Sequence, residues 1–106
     1  MRDLTATHPD RSTLMAVLSA DQIAEELKSA PEWHLEGSDI TRTFSFSDFR
    51  EAMSFVNAVA HLAERAGHHP DIDIRYNKVR LALSSHDAGG ITGKDFALAK
   101  EIGSVL

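Results

Sequence analysis

Six of the 106 residues are histidines, at positions 8, 34, 61, 68, 69 and 86, and none is a cysteine. Without cysteine there are no disulfides, no thiol nucleophile and no cysteine-held zinc or iron–sulfur centre. Imidazole remains as the group that gives and takes protons near neutral pH, since its ordinary pKa is about 6.5. Three of the histidines sit in two polar, carboxylate-bearing stretches, Glu64-Arg-Ala-Gly-His68-His69-Pro70 and Ser85-His86-Asp87-Ala88-Gly-Gly, and Thr92-Gly-Lys-Asp95 follows shortly after. That grouping points to general acid–base chemistry, in which paired groups deliver and remove protons. The same residue types allow a second reading, with His68, His69, His86 and Asp95 as zinc ligands. The spacing is poor for it: neighbouring residues of an extended chain point to opposite sides, and no His-x-His or His-x-x-x-His occurs. No metal is therefore expected.

These groups need elements to hold them. Ser19 with Gln22 three residues on has the capping-box pattern and opens a short helix that ends before Pro31. Trp33, which reads as core, leads into an alternating stretch. A turn at Gly37-Ser38-Asp39 and a second alternation through Ile40, Arg42, Phe44 and Phe46 complete a hairpin. Ser47 or Asp48 caps a long helix running to about Ala66. Its apolar stripe is Phe49, Met53, Val56, Ala60 and Ala63, widened by Phe55, Val59 and Leu62, and His61 falls on the polar side. Gly67 stands where a helix ends in a left-handed residue.

Residues 71–76 and 79–84 alternate as two more strands, and a loop at Asn77-Lys78 places Tyr76 beside Val79 as a core residue. Thr92 and Asp95 cap a last helix with Phe96, Ala99 and Ile102 on one side. The order helix, two strands, helix, two strands, helix makes an α+β two-layer sandwich: a four-stranded antiparallel sheet with helices on one face. Residues 1–17 read as a flexible extension and 18–106 as a single domain.

The chain carries a net charge of −5 with histidines neutral, which argues against direct nucleic-acid binding. No apolar run approaches the ~20 residues of a membrane span, and the N-terminus lacks an apolar stretch of signal type. A cytoplasmic protein is expected.

The ordered set Glu64, His68, His69, Pro70, Tyr76, His86 and Asp95 resembles the motif of the pterin-4a-carbinolamine dehydratases. Trp33, Phe44-Ser-Phe46, Asp48-Phe49 and the closing Gly-Gly-Ile-Thr fit the wider pattern, over roughly residues 19–103. Ser85 departs from it, standing where threonine is usual. The resemblance implies a hydro-lyase that dehydrates a 4a-hydroxytetrahydropterin to a quinonoid dihydropterin, in tetrahydrobiopterin recycling, without a cofactor. It implies that His68, His69 and His86 converge on the reacting edge of the substrate, and that residues 68–70 and 85–88 line the site. Glu64, Pro70, Ser85, Asp87, Ala88 and Asp95 are then expected to bind substrate. Asp95 is also a helix cap and a candidate to orient His86. His8 and His34 read as surface residues. A homodimer or homotetramer is implied as well, formed by joined sheet edges and packed helices. The competing reading is a non-catalytic partner protein on the same fold, a dimerisation cofactor or an assembly factor.

Overall fold

The computed structural model describes residues 16–106. The expected N-terminal extension lies outside the described residues except at its last positions. There the Leu18 N–H donates to the Ile91 carbonyl (2.8 Å), and Val17 lies against Gly90.

Helix α1 spans Ala20–Leu27. Its first turn is satisfied reciprocally: Gln22 N–H donates to the Ser19 hydroxyl (3.1 Å), and Ser19 N–H to the Gln22 side chain (2.8 Å). Strands β1 (His34–Glu36) and β2 (Asp39–Ser45) form a hairpin closed by Gly37 and Ser38, with Gly37 at φ 60°. Helix α2 (Phe49–Ala66) begins at Asp48, whose carboxylate accepts from Glu51 N–H (2.8 Å). Strands β3 (Asp71–Arg75) and β4 (Lys78–Leu83) form the second hairpin, and helix α3 (Gly93–Gly103) closes the chain. The sheet is antiparallel throughout, in the order β1-β2-β4-β3, so β1 and β3 are its edges.

Strand alternation puts Ile40 and Phe44 of β2, and Val79, Leu81 and Leu83 of β4, into one core with the helices. From the other side that core receives Ile23 of α1, Phe55, Val59 and Leu62 of α2, and Phe96, Leu98 and Ile102 of α3. Phe44 is its aromatic centre. It meets Trp33 edge-on at 6.3 Å and Phe55 at 4.6 Å, and the Arg42 guanidinium lies 4.3 Å from its ring. On the opposite sheet face Arg80 reaches across β2 to Glu36 (2.6 Å), and this bond holds the Glu36 carboxyl below its ordinary range. An ion pair so exposed adds little stability. Among the described residues no helix is long and apolar enough to cross a membrane.

Two expectations need correction. The second hairpin turns at Tyr76-Asn77, not Asn77-Lys78, because Arg75 pairs with Lys78. The register moves by two, so the apolar faces still merge, with Ile72 opposite Leu81 and Ile74 opposite Val79. Tyr76 is therefore a turn residue, 66% exposed at φ 54°, and not part of the core. Asn77 instead ties the turn to the chain after β2. It donates its side-chain amide to the Phe46 carbonyl (2.7 Å), and its carbonyl accepts from Phe46 N–H (2.9 Å). The second correction concerns α2. Its buried line is Ala52, Phe55, Val59, Leu62 and Ala63, while Phe49 is 50% exposed and Ala60 lies at the surface.

A non-glycine residue at positive φ carries strain of order 1 kcal/mol, and asparagine tolerates that region better. Tyr76→Asn is thus expected to leave stability unchanged or raise it by up to about 1 kcal/mol. Leu81→Ala, in the core, is expected to cost about 2–5 kcal/mol. Urea unfolding curves check both.

Candidate active site

Three chain segments meet where β4 ends. The first is the C-terminus of α2. Gly67 adopts the left-handed conformation (φ 63°), and the His68 N–H turns back to the Ala63 carbonyl (3.1 Å). The chain then reverses sharply, so that His68 and His69 leave the helix end at its junction with β3. The second segment is the loop after β4. The Ser85 carbonyl accepts from Ala88 N–H (3.0 Å), Gly89 N–H (3.0 Å) and Gly90 N–H (3.3 Å), and Ser85 N–H donates to the Gly90 carbonyl (3.0 Å). The loop closes on itself and starts a short 3₁₀ turn, His86–Ala88. The third segment is the N-terminus of α3, capped by Thr92.

Asp95 joins all three. Its side chain is fully buried, at 0% exposure. Oδ1 meets His68 Nε2 at 2.5 Å, and Oδ2 accepts from the Ser85 hydroxyl (2.9 Å) and the Thr92 backbone N–H (2.9 Å). The hydroxyls of Ser85 and Thr92 lie 2.8 Å apart, and the Lys94 N–H donates to Thr92 Oγ1 (3.2 Å). A carboxylate in the first turn of a helix also benefits from the helix dipole. His68 is nearly buried as well, its side chain 11% exposed. The second histidine has a looser tie: His69 Nε2 lies 2.6 Å from Glu64 Oε2, with both side chains largely in solvent. The His86 imidazole makes no side-chain hydrogen bond among the described residues.

A solvent-open cavity of about 220 Å³ lies between these segments, lined by Gly67, His68, His69, Ser84, Ser85, His86, Asp87 and Lys94. It is smaller than the ~300–1,000 Å³ of pockets for drug-sized ligands. All three singled-out histidines reach its wall, with Ser85 and Asp87. Glu64, Pro70, Ala88 and Asp95 do not line it. Glu64 stands behind His69, and Asp95 behind His68. Asp95 thus holds His68, whereas the sequence made it a candidate to orient His86. The reason is local: the Ser85 hydroxyl takes Oδ2, and the 3₁₀ turn starting at His86 leaves that residue exposed.

Sequence reading missed Gly67, Ser84 and Lys94 as lining residues. Lys94 had a visible signal, standing next to Asp95 in Thr92-Gly-Lys-Asp95. His61 is exposed on α2 and His34 on β1, while His8 is outside the described residues. Among the described residues no group of three histidine, aspartate or glutamate side chains is placed to hold a metal ion.

Known proteins resemble this chain over nearly all of the described span. The family model described as pterin 4 alpha carbinolamine dehydratase matches residues 16–105. A relative from Chloroflexus aurantiacus is 59% identical over 92 residues, covering 87% of this chain and 99% of its own. One from Acidobacterium capsulatum is also 59% identical over 92 residues, covering 87% and 100%. Both carry the name "Putative pterin-4-alpha-carbinolamine dehydratase". A crystal structure of a transcriptional coactivator/pterin dehydratase from Brucella melitensis superposes with a TM-score of 0.80 at 32% identity, covering 84% of this chain and 97% of that one. A pterin dehydratase-like RuBisCO assembly factor of the alpha-carboxysome shares the fold at a TM-score of 0.57 and 22% identity, covering 69% and 84%.

The left-handed Gly67 sets the direction in which both adjacent histidines leave α2, and nothing lies within 4 Å of where its Cβ would stand. Gly67→Ala is therefore expected to cost about 1–2 kcal/mol through backbone strain alone, and Gly67→Asn less. Guanidinium unfolding of the two variants checks the order.

Proposed function

The chain belongs to the pterin-4a-carbinolamine dehydratase family, and from that premise we propose that it is a hydro-lyase that removes water from a 4a-hydroxytetrahydropterin. The product is the quinonoid dihydropterin, and the setting is tetrahydrobiopterin recycling. The observation that carries the reading is one small cavity walled by three imidazoles, two of them bound to carboxylates.

The reaction needs two proton transfers on one edge of a flat, uncharged ring. An imidazolium protonates the C4a hydroxyl, the C4a–O bond breaks and water leaves. A neutral imidazole takes the N5 proton, and the electron pair of that N–H bond forms the N5–C4a double bond. Groups titrating near neutrality serve both steps, each worth about 10²–10⁴ in rate. His68, His69 and His86 are the catalytic residues in this reading. Ser85 and Asp87 border the substrate, as do the backbones of Gly67 and Ser84. Pro70 and Ala88 set the course of their loops, and Glu64 orients His69.

The protein acts as a homo-oligomer in this reading. Edge strand β3 leaves Ile72 and Ile74 more than a third exposed, and bare edges invite pairing. In an antiparallel pair centred on Asp73, Ile72 would face Ile74 and Asp71 would face Arg75 of the second copy, gains set against the two opposed Asp73 carboxylates. Phe49 on α2 adds a second exposed apolar position. A partner-protein role is the second reading, favoured by the coactivator name of the Brucella melitensis neighbour. Retention of a large partner by the chain, with no turnover of pterin, would make it the better one.

With 4a-hydroxytetrahydropterin generated in situ, His69→Ala and His86→Ala are each expected to slow dehydration by about 10²-fold or more. His61→Ala serves as the control and is expected to change little. Full activity in His86→Ala together with loss in His61→Ala would reject the site. The parent protein is expected to keep its rate in EDTA. Light scattering at micromolar concentration is expected to give the mass of a dimer or a tetramer, and monomer alone would reject the association.

A further inference from the structure

We infer that Asp95 is a positioning residue that fixes His68 in the tautomer protonated on Nε2, so that Nδ1 is its proton-accepting atom. The hydrogen-bond directions around Asp95 carry the inference. Ser85 has one hydroxyl proton, and its 2.9 Å contact with Oδ2 uses it. In the 2.8 Å contact between the two hydroxyls, Thr92 must then be the donor and Ser85 the acceptor. Thr92 Oγ1 in turn accepts from the Lys94 N–H. The Thr92 backbone N–H points at Oδ2 as a second donor. Every proton of the cluster is thus assigned toward the carboxylate, and only Oδ1 is left for His68 Nε2 at 2.5 Å.

Donors converging on a carboxyl group favour its ionised form over the acid. The shared proton therefore sits on Nε2, and Asp95 receives three donors as an anion. A fully buried carboxylate needs such pairing, because an unpaired charge at 0% exposure is very costly. Of the two ring nitrogens of His68, Nδ1 alone is left without a partner among the described residues. His68 is also a lining residue of the cavity. In the dehydration proposed above, on which this catalytic consequence rests, Nδ1 of His68 takes the N5 proton. Ser85 and Thr92 act on the substrate only through Asp95 in this respect. The His69–Glu64 pair lacks the lock, since both side chains are mostly in solvent and no further donor among the described residues fixes the carboxylate.

Asp95→Asn is the discriminating variant. Its amide oxygen can still accept from Ser85 and Thr92, which keeps the cap of α3. Its NH₂ then faces His68 and donates to Nε2, which moves the ring proton to Nδ1. Long-range ¹H–¹⁵N spectra of the imidazoles at pH 8, assigned with His68→Gln, read this without substrate. The expected wild-type pattern is a protonated Nε2 and an unprotonated Nδ1, exchanged in Asp95→Asn. In the dehydration assay Asp95→Asn is expected to lower kcat by about 10²-fold or more with KM little changed, while thermal unfolding stays cooperative. Wild-type His68 protonated on Nδ1, alone or together with Nε2, overturns the inference. So does a pattern unchanged in Asp95→Asn, or full kcat in that variant. The expected tautomers without any pterin turnover would instead reject the dehydratase reading and leave the lock standing.

Discussion

The burial of one carboxylate is the constraint around which the rest of the molecule is arranged. Asp95 has no contact with solvent, so each of its oxygens has to be met by donors. Those donors come from three separate places in the chain: the end of α2, the loop after β4 and the cap of α3. The same interaction that starts a helix therefore also fixes how α2 and the last strand meet it. Losing any one donor would leave a buried charge under-satisfied, and that cost is larger than the net worth of an average hydrogen bond. Site and fold are joined at this residue.

Beneath it the sheet and helices supply a frame. Alternation on β2 and β4 fills one layer and the inner line of α2 fills the other, with Phe44 touching both. This core holds the ends of α2, β4 and α3 in register. The histidines themselves contribute little to it: His69 and His86 are exposed, and only His68 is drawn inward by its carboxylate. Rigid elements thus end at a cavity whose walls are short, self-bonded loops.

Much of this was legible in the residues. Both capping boxes, the closing glycine of α2 and the period-two strands are local signals, and each produced the expected element. Fold class followed, while the grouping of the three histidines was an implication of the family resemblance. Three features were not legible, each because a distant partner decided it. The turn at Tyr76-Asn77 prevailed over the expected Asn77-Lys78 because Asn77 bonds both polar groups of the Phe46 backbone, far away in sequence. The buried line of α2 is rotated from the expected stripe because α3 and the sheet decide which side is covered. Asp95 holds His68 rather than His86 because the Ser85 hydroxyl occupies its second oxygen and the end of α2 brings His68 to the first. Periodicity carries no information about such competition.

The strap at Val17 and Leu18 bears on how the protein can be handled. The chain enters the body beside the loop that carries His86, with Val17 against Gly90 and Leu18 bonded to Ile91. It leaves from the far end of α3, a helix of 11 residues and so about 16 Å long, whose first turn holds Asp95. Cargo joined directly at residue 17 would start beside that loop. A tether after Leu106 starts beyond the opposite end of α3 from Asp95, so immobilisation on a surface or in a designed enzyme cascade belongs at the C-terminus.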